Sequence, residues 1–389
     1  MRHEYMEEIL VKDCPVDNLR QFSGIVDMEP GGRYGQLIPL NANGKQRLEY
    51  PYIGKDSITR FRLKKGMELE AFVLPRVDFP NPKVVQVVSI DGLPSGKRSA
   101  MRRFEDLTII APNEWLNLEV EDGELSNRMI DFFCPIGKGQ RGLVVAPPRT
   151  GKTTLLQNIA RGIKENHRDC HLIIALVDER PEEVTDFQRS VQAELYASSN
   201  DEDRYRQIMV AELAIERAKR LVEVGKDVVI LLDSITRLAR AYNAIQSSGR
   251  TMSGGVDVRA LERPRQLFSA ARNVENGGSL TLIATALVGT GSKMDDLIFQ
   301  EFKGTGNMEV VLDRKIADMR LYPAIDINSS GTRKEELLLP GEVLGKISSL
   351  RKALSGLKSD EAIDALINRM KKTKNNKEFL ILLKSALDR

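Results

Sequence analysis

At 389 residues the chain is long for one domain and suits two, and its 41% hydrophobic and 29% charged residues describe an ordinary globular composition. A net charge of +3 is too small to argue for a polyanionic partner, so local clusters of cations must carry that question. Cys14, Cys134 and Cys170 lie far apart, and with only three histidines they argue against structural zinc and for a reducing, cytoplasmic setting.

The first eight residues, Met1 to Glu8, place charges where a signal peptide needs an apolar core. The longest apolar runs, such as Leu172 to Val177, have the length of strands and cannot span a bilayer. From about Phe22 to Ile90 the pattern is one of short strands. Met67, Leu69, Ala71 and Val73 alternate with Glu68, Glu70 and Phe72, and Lys83 to Ile90 follows a Pro/Asn turn. Further strands are expected at Gly24–Met28, at Gly35–Leu40 and around Tyr52, which suits a small closed barrel of the oligonucleotide-binding type. Tyr34, Tyr52 and Phe61 sit among Arg33, Arg60 and Arg62, an interleaving that can stack single-stranded bases and neutralise their phosphates. Core aromatics beneath a solvated basic face are an equal account of the same residues. Leu93 to Ser99 reads as the exit linker.

From about Cys134 the grammar changes. Buried-strand runs at Leu143–Ala146, Leu172–Asp178, Val228–Asp233 and Leu280–Ala286 alternate with helical patterns, which argues for a mostly parallel sheet covered by helices. The first of these runs leads through Pro147-Pro-Arg-Thr-Gly-Lys-Thr153 into a helix. That is the layout of a phosphate-binding loop, in which backbone N–H groups at a helix start face phosphate and the helix dipole favours its charge. Lys152 is placed to reach the β- and γ-phosphates, and the Thr153 hydroxyl to complete a magnesium shell. The first position of the pattern is Ala146 rather than Gly, a departure at one site.

Leu172 to Glu183 ends a strand in carboxylates, and Glu179 is the candidate for orienting and deprotonating an attacking water. A helix starting at Pro181 with Glu182 and Glu183 in its first turn accounts for the two later glutamates but not for Glu179 or Arg180. Asp233, at the end of an apolar strand, can join the magnesium shell; its competing role is a helix N-cap. Two loops suit close approach to an extended phosphodiester: Ser247 to Gly255, carrying Arg250, and Gly289 to Asp296, carrying Ser292 and Lys293. Either is equally an ordinary connection. Arg333, in a turn of small residues, could supply positive charge to a phosphoryl-transfer transition state, although on the residues alone a solvated turn arginine is the better account. After Pro340 the chain turns helical, with one face at Val343, Leu344, Ile347, Leu350 and Leu354 and another at Ile363, Leu366, Ile367 and Met370. The polar run Lys371 to Lys377 reads as a solvated connection between helices.

Taken together, Pro135-Ile-Gly-Lys-Gly-Gln-Arg-Gly-Leu143, Ala146 to Thr153, Asp178 to Thr185, Leu231 to Asn243, Gly289 to Asp295, Phe302 to Glu309 and Ser330 to Leu337 resemble the bacterial transcription termination factor Rho family. The resemblance covers almost everything from about residue 22 onward. It implies a RecA-like α/β P-loop ATPase core with a mostly parallel sheet, preceded by an OB-type barrel and ending in helices. The implied divisions are a short segment over 1–20, an RNA-binding barrel over 21–95, a connector over 96–133 and an ATPase domain over 134–389. It implies a homohexameric ring that hydrolyses ATP with Mg2+, translocates 5'-to-3' along single-stranded RNA and releases that RNA from the RNA polymerase elongation complex.

Carried over position by position, the resemblance implies ATP contacts at Gly137, Lys138, Gly139, Gln140, Arg141 and Gly142, and again at Arg149, Thr150, Gly151, Lys152, Thr153 and Thr154. Thr153 and Asp233 would serve magnesium, Glu179 the water, Arg180 the γ-phosphate side and Tyr322 the adenine. Arg333 would be an arginine finger entering the neighbouring subunit's site, and Arg320 a further interface cation. RNA would meet Tyr34, Tyr52 and Arg60 in the barrel, and Arg250, Ser292 and Lys293 in the central pore. Family members usually carry a helical subdomain before the barrel, whereas about twenty residues precede it here. The family's Gly-aromatic-Gly-aromatic turn reads Gly32-Arg33-Tyr34-Gly35-Gln36, without the second aromatic, which bears on primary-site affinity and pyrimidine preference. Two other readings share some of these features. One is a ring ATPase of the rotary ATP synthase or type III secretion class, to which the Ala-Pro-Pro phosphate loop is foreign. The other is a non-catalytic RNA-binding protein that uses nucleotide as a switch.

Overall fold

In a computed structural model, described for residues 19–29, 31–39, 50–76, 79–121, 124–246 and 249–387, the chain divides into two compact units at Arg102/Arg103. Most of the amino-terminal segment, Cys14, Ser247 and Ser248 lie outside the described residues.

The first unit holds β1 (Arg20–Met28), β2 (Gly35–Ile38), β3 (Tyr52–Ile53), α1 (Lys55–Phe61), β4 (Glu68–Leu74), β5 (Lys83–Ile90) and α2 (Ser95–Ser99). Its strands close into a barrel in the order β1-β2-β3-β5-β4. The alternation along β4 is the cause: Leu69, Ala71 and Val73 point into a core with Val26, Leu37, Ile53 and Val84, while Glu70 faces outward. The segment Leu93–Ser99, expected as an exit linker, is instead part of this unit. Its α2 buries Arg98, whose Nε donates to Asp91 Oδ2 at 2.7 Å. The Pro, Ser and Gly that suggested a linker open a helix that one buried ion pair pins down.

The second unit contains β6 (Ile109–Ile110), α3 (Leu125–Phe133), β7 (Arg141–Ala146), α4 (Lys152–Asn166), β8 (His171–Glu179), α5 (Pro181–Ser190), β9 (Glu194–Ser199), α6 (Arg204–Glu223), β10 (Asp227–Asp233) and α7 (Ile235–Ile245). It continues through α8 (Glu262–Phe268), β11 (Arg272–Val274), β12 (Ser279–Leu287), α9 (Lys293–Lys303), β13 (Met308–Val311), α10 (Arg314–Asp318) and β14 (Gly331–Thr332). Helices α11 (Gly341–Leu354), α12 (Ser359–Met370) and α13 (Asn376–Leu387) end it. The main sheet runs β14-β13-β7-β12-β10-β8-β9 and is parallel from β13 to β9. Strands buried on both faces read as continuous apolar runs. Successive residues nonetheless serve different cores: Val144, Ile174 and Leu231 pack toward α4 and the C-terminal helices, and Val145, Ile173 and Ile230 toward α6 and α7.

Parts of the stretch expected as a connector are also packed structure. Every residue from Ser126 to Phe133 in α3 is buried, and β6 extends the sheet through β11. Cys134 and Cys170 are buried and free. Among the described residues, no helix is long and apolar enough to cross a membrane.

Candidate active site

Parallel strands bring their carboxyl ends to one edge, and there β7, β8 and β10 deliver the phosphate loop, Glu179 and Asp233. Gly151, with φ of 86°, caps α4, so Lys152 and Thr153 occupy its first turn with the N–H groups of that turn facing outward. The Thr150 hydroxyl donates to the Pro147 carbonyl at 2.8 Å and closes the loop from inside. Arg149 is exposed on the loop and Thr154 in the first turn of α4.

Lys152 Nζ donates to Asp233 Oδ1 and lies 3.4 Å from Glu179 Oε1. Asp233 and Glu179 are 1% and 2% exposed, so two carboxylates share one lysine in a site almost closed to water. Thr285, on β12, donates to Asp233 Oδ1 at 2.7 Å. Arg237, in the first turn of α7, lies 3.4 Å from Glu179 Oε1 and donates to the Asp178 carbonyl. Burial raises the pKa of Glu179, the nearby Asp233 charge adds to the rise, and Lys152 and Arg237 oppose it. Asp233 is not the N-cap; Ser234 is, accepting from the Arg237 N–H.

The donor set fits magnesium. Thr153 and Asp233 offer hard oxygens beside the phosphate position, and Glu179 Oε2 is buried with no hydrogen-bond partner. Among the described residues there is no cluster of three or more His, Cys, Asp or Glu that could hold a metal ion by itself. Helix α5 does start at Pro181 with Glu182 and Glu183 in its first turn, and Glu183 accepts from the Thr153 hydroxyl at 3.5 Å. Arg180 is the exposed residue capping α5.

Tyr322 stands over the loop, its ring 3.6 Å from where a Cβ on Gly151 would lie, and it is 46% exposed. Arg314 donates to the Pro148 carbonyl at 2.6 Å, tying α10 to the same loop. Arg320 is exposed in the turn after α10 and so lies at this edge of its own chain.

The six residues from Gly137 to Gly142 are not brought to this edge. They precede or open β7, and its five steps at ~3.3 Å place Arg141 about 17 Å from Ala146. Lys138 pairs with Glu114 and with Asp227 at the start of β10, the Gly139 N–H donates to Thr281, and the Gln140 amide donates to Asn307. The ATP contacts expected at Gly137 to Gly142 thus stand at the amino edge of the sheet, away from this chain's own phosphate loop.

Arg333 lies at that amino edge too. β14 runs antiparallel to β13, with Gly331 opposite Glu309 and Thr332 opposite Met308, so the chain leaves the phosphate-loop edge as it approaches Arg333. The Arg333 N–H donates to the Asn307 carbonyl, and its exposed side chain is near enough to help lower the pKa of Arg141, behind the larger effect of burial. It cannot reach its own chain's phosphate loop.

The two glycine-rich loops do meet. A Cβ on Gly254 would fall 2.9 Å from the Lys293 carbonyl oxygen, so the loop carrying Arg250 rests on the start of α9. Lys293 is exposed there and Ser292 half-buried. Helix α7 reaches all three places. Arg237 faces the carboxylates, Arg240 Nε donates to the fully buried Asp295 at 2.7 Å, and Asn243 holds the Asp257 N–H at 2.7 Å and the Gly255 carbonyl at 3.2 Å. Thr290, in the second loop, donates to the same Asp295 carboxylate at 2.6 Å.

In the barrel, Tyr34 and Tyr52 form a pair with ring centroids 5.8 Å apart. Arg76 lies over Tyr52 and, at 3.7 Å, over the exposed Phe79. Arg76 and Phe79 went unread because strand β4 separates them in sequence from Tyr34, Tyr52 and Phe61. Arg60 is exposed on α1 over Phe61 rather than in this array.

The family model for the nucleotide-binding domain of the ATP synthase alpha/beta family matches residues 126–332. A transcription termination factor Rho from Cereibacter sphaeroides is 52% identical over 361 residues, covering 92% of this chain and 85% of that protein. A transcription termination factor Rho from Aquifex aeolicus is 47% identical, covering 97% of this chain and 88% of that protein. Among solved structures, an ATPase from the type III secretion system of pathogenic bacteria matches with a TM-score of 0.59 at 23% identity, over 72% of this chain and 86% of that one. That likeness is one of fold, shared by the export-class alternative; the sequence identity lies with the termination factors.

Proposed function

The chain belongs to the transcription termination factor Rho family, and on that premise we propose a ring motor whose nucleotide sites are each completed by a neighbouring chain. It is a termination-factor ATPase with a nucleotide substrate. The observation that carries the ring reading is the separation within one chain of a nearly complete hydrolytic site from its cation: Lys152, Glu179 and Asp233 at one edge of the sheet, Arg333 at the other.

ATP phosphates sit on the N–H groups of Arg149 to Thr154, and Lys152 turns from the carboxylates to the β- and γ-phosphates. Thr153 and Asp233 hold magnesium, which neutralises charge on the phosphate oxygens when bound. Glu179, steadied by Arg237, takes the proton of the attacking water. Tyr322 packs on adenine, while Arg180 and Arg320 line the phosphate-loop side of the interface. Arg333 of the adjoining chain brings positive charge to the γ-phosphate as the transition state forms.

The barrel captures single-stranded RNA by stacking on Tyr34 and Tyr52, with Arg60 on its flank. Arg250, Ser292 and Lys293 grip the strand in a central pore, and closure of successive interfaces draws it through 5'-to-3'. A homohexamer in the cytoplasm, pulling nascent RNA from the RNA polymerase elongation complex, is the assembly this requires.

The test is ATP hydrolysis by the purified protein alone, with single-stranded DNA and with cytosine-rich RNA. Strong stimulation by the RNA alone is expected. Equal turnover in all three would sink the RNA-driven motor and return the choice to an export-type ring ATPase.

A further inference from the structure

We propose that Arg351, on α11, is a positioning residue for the Arg333 finger, fixing where that finger meets the neighbouring chain's nucleotide. The proposal rests on the reading of Arg333 given above. Arg333 follows a strand of two residues, and Lys334 after it has a left-handed φ of 58° before a single 3-10 turn over Glu335–Leu337. So short a ladder does not fix a long exposed side chain by itself.

The added restraint comes from behind. The Arg351 guanidinium donates to the Ser330 carbonyl at 3.2 Å and to the Phe133 carbonyl, lies 3.7 Å from Glu335 Oε2, and sits over the Phe133 ring at 5.1 Å. Ser330 and Glu335 flank Arg333 in sequence, and Phe133 ends α3 in the buried core. One planar cation thus ties both ends of the finger segment to the carbonyl end of a core helix, where positive charge is also favoured. The Thr332 hydroxyl adds a bond to the Pro135 carbonyl at 2.8 Å, so the segment has two ties to the chain just after α3. A lysine at position 351 has no fork with which to hold two carbonyls and a carboxylate together.

The experiment is a double-mutant cycle on RNA-stimulated ATP hydrolysis by the assembled full chain. Arg351→Gln and Arg351→Lys are measured alone and combined with Arg333→Ala, and kcat is read apart from the KM for ATP. Arg351→Gln is expected to lower kcat by about tenfold to a hundredfold with KM within about twofold, because a small misplacement of a catalytic group costs that much. In the Arg333→Ala background it is expected to cost nothing further. Equal loss in both backgrounds, or no loss in either, overturns the proposal while leaving the finger intact. Wild-type turnover by Arg333→Ala overturns the finger reading and this proposal with it. If Arg351→Gln does not fold, Glu335→Gln removes one arm of the clamp, and its smaller kcat loss must likewise vanish in the Arg333→Ala background.

Discussion

Lys152 pairs with Asp233 and Glu179, and if it turned to nucleotide phosphates as proposed, one of the two cations opposing the rise in the Glu179 pKa would be weakened. A carboxyl with a raised pKa loses its ionised form at a higher pH as the solution is acidified. The acid limb of the kcat profile is therefore expected above the ordinary carboxylate range. Glu179→Gln should remove that limb and lower kcat by about 10²–10⁴-fold with little change in KM; an unchanged limb in the residual activity assigns the base elsewhere. In the barrel, Tyr52→Ala should cost about 1–3 kcal/mol of RNA affinity, the usual worth of one stacked base. Titration of a short labelled RNA at fixed salt measures it, and an unchanged Kd would return Tyr34 and Tyr52 to a structural role.

Helix α7 links the Lys152–Glu179–Asp233 cluster to the two glycine-rich loops, where the proposed motor holds its RNA, through residues spaced three apart: Arg237, Arg240 and Asn243. Gly254→Ala is expected to disturb the strand-contact end alone, because its φ of 75° disfavours a side chain and its Cβ would press on the Lys293 carbonyl. Stimulation by RNA should fall severalfold while RNA-free turnover stays near wild type; parallel loss of both would show that the loops are not separable from the ATP site.

The same helix marks where sequence reasoning stops. Lys152, Glu179 and Asp233 were legible because strand ends and a glycine turn fix them locally. Arg237, Thr285 and Arg76 reach their partners only through tertiary packing, which leaves no spacing to read. Helix α1 was hidden among polar residues that suited a turn, and β13 and β14 are too short to show alternation. For Gly137 to Gly142 the motif likeness carried positions but not the end of the strand at which they stand.

Across the whole molecule, splitting lysine and finger between two edges of one sheet predicts complementation. Mixing Lys152→Ala with Arg333→Ala chains, each nearly inactive alone, should produce rings in which some interfaces have both groups. Turnover above the sum of the separate preparations is expected at intermediate ratios; its absence in rings shown to contain both chains would place the finger's partner elsewhere.

The brevity of β14 has a mechanical consequence for such a ring. An edge of two residues offers a neighbour almost no free ladder of N–H and C=O groups. If adjoining chains meet on that face, as in the proposed ring, side chains rather than a shared β-ladder would join them. A seam of that kind can part to admit a threaded polymer and close again without unzipping any backbone, as a clasp opens where a weld would tear.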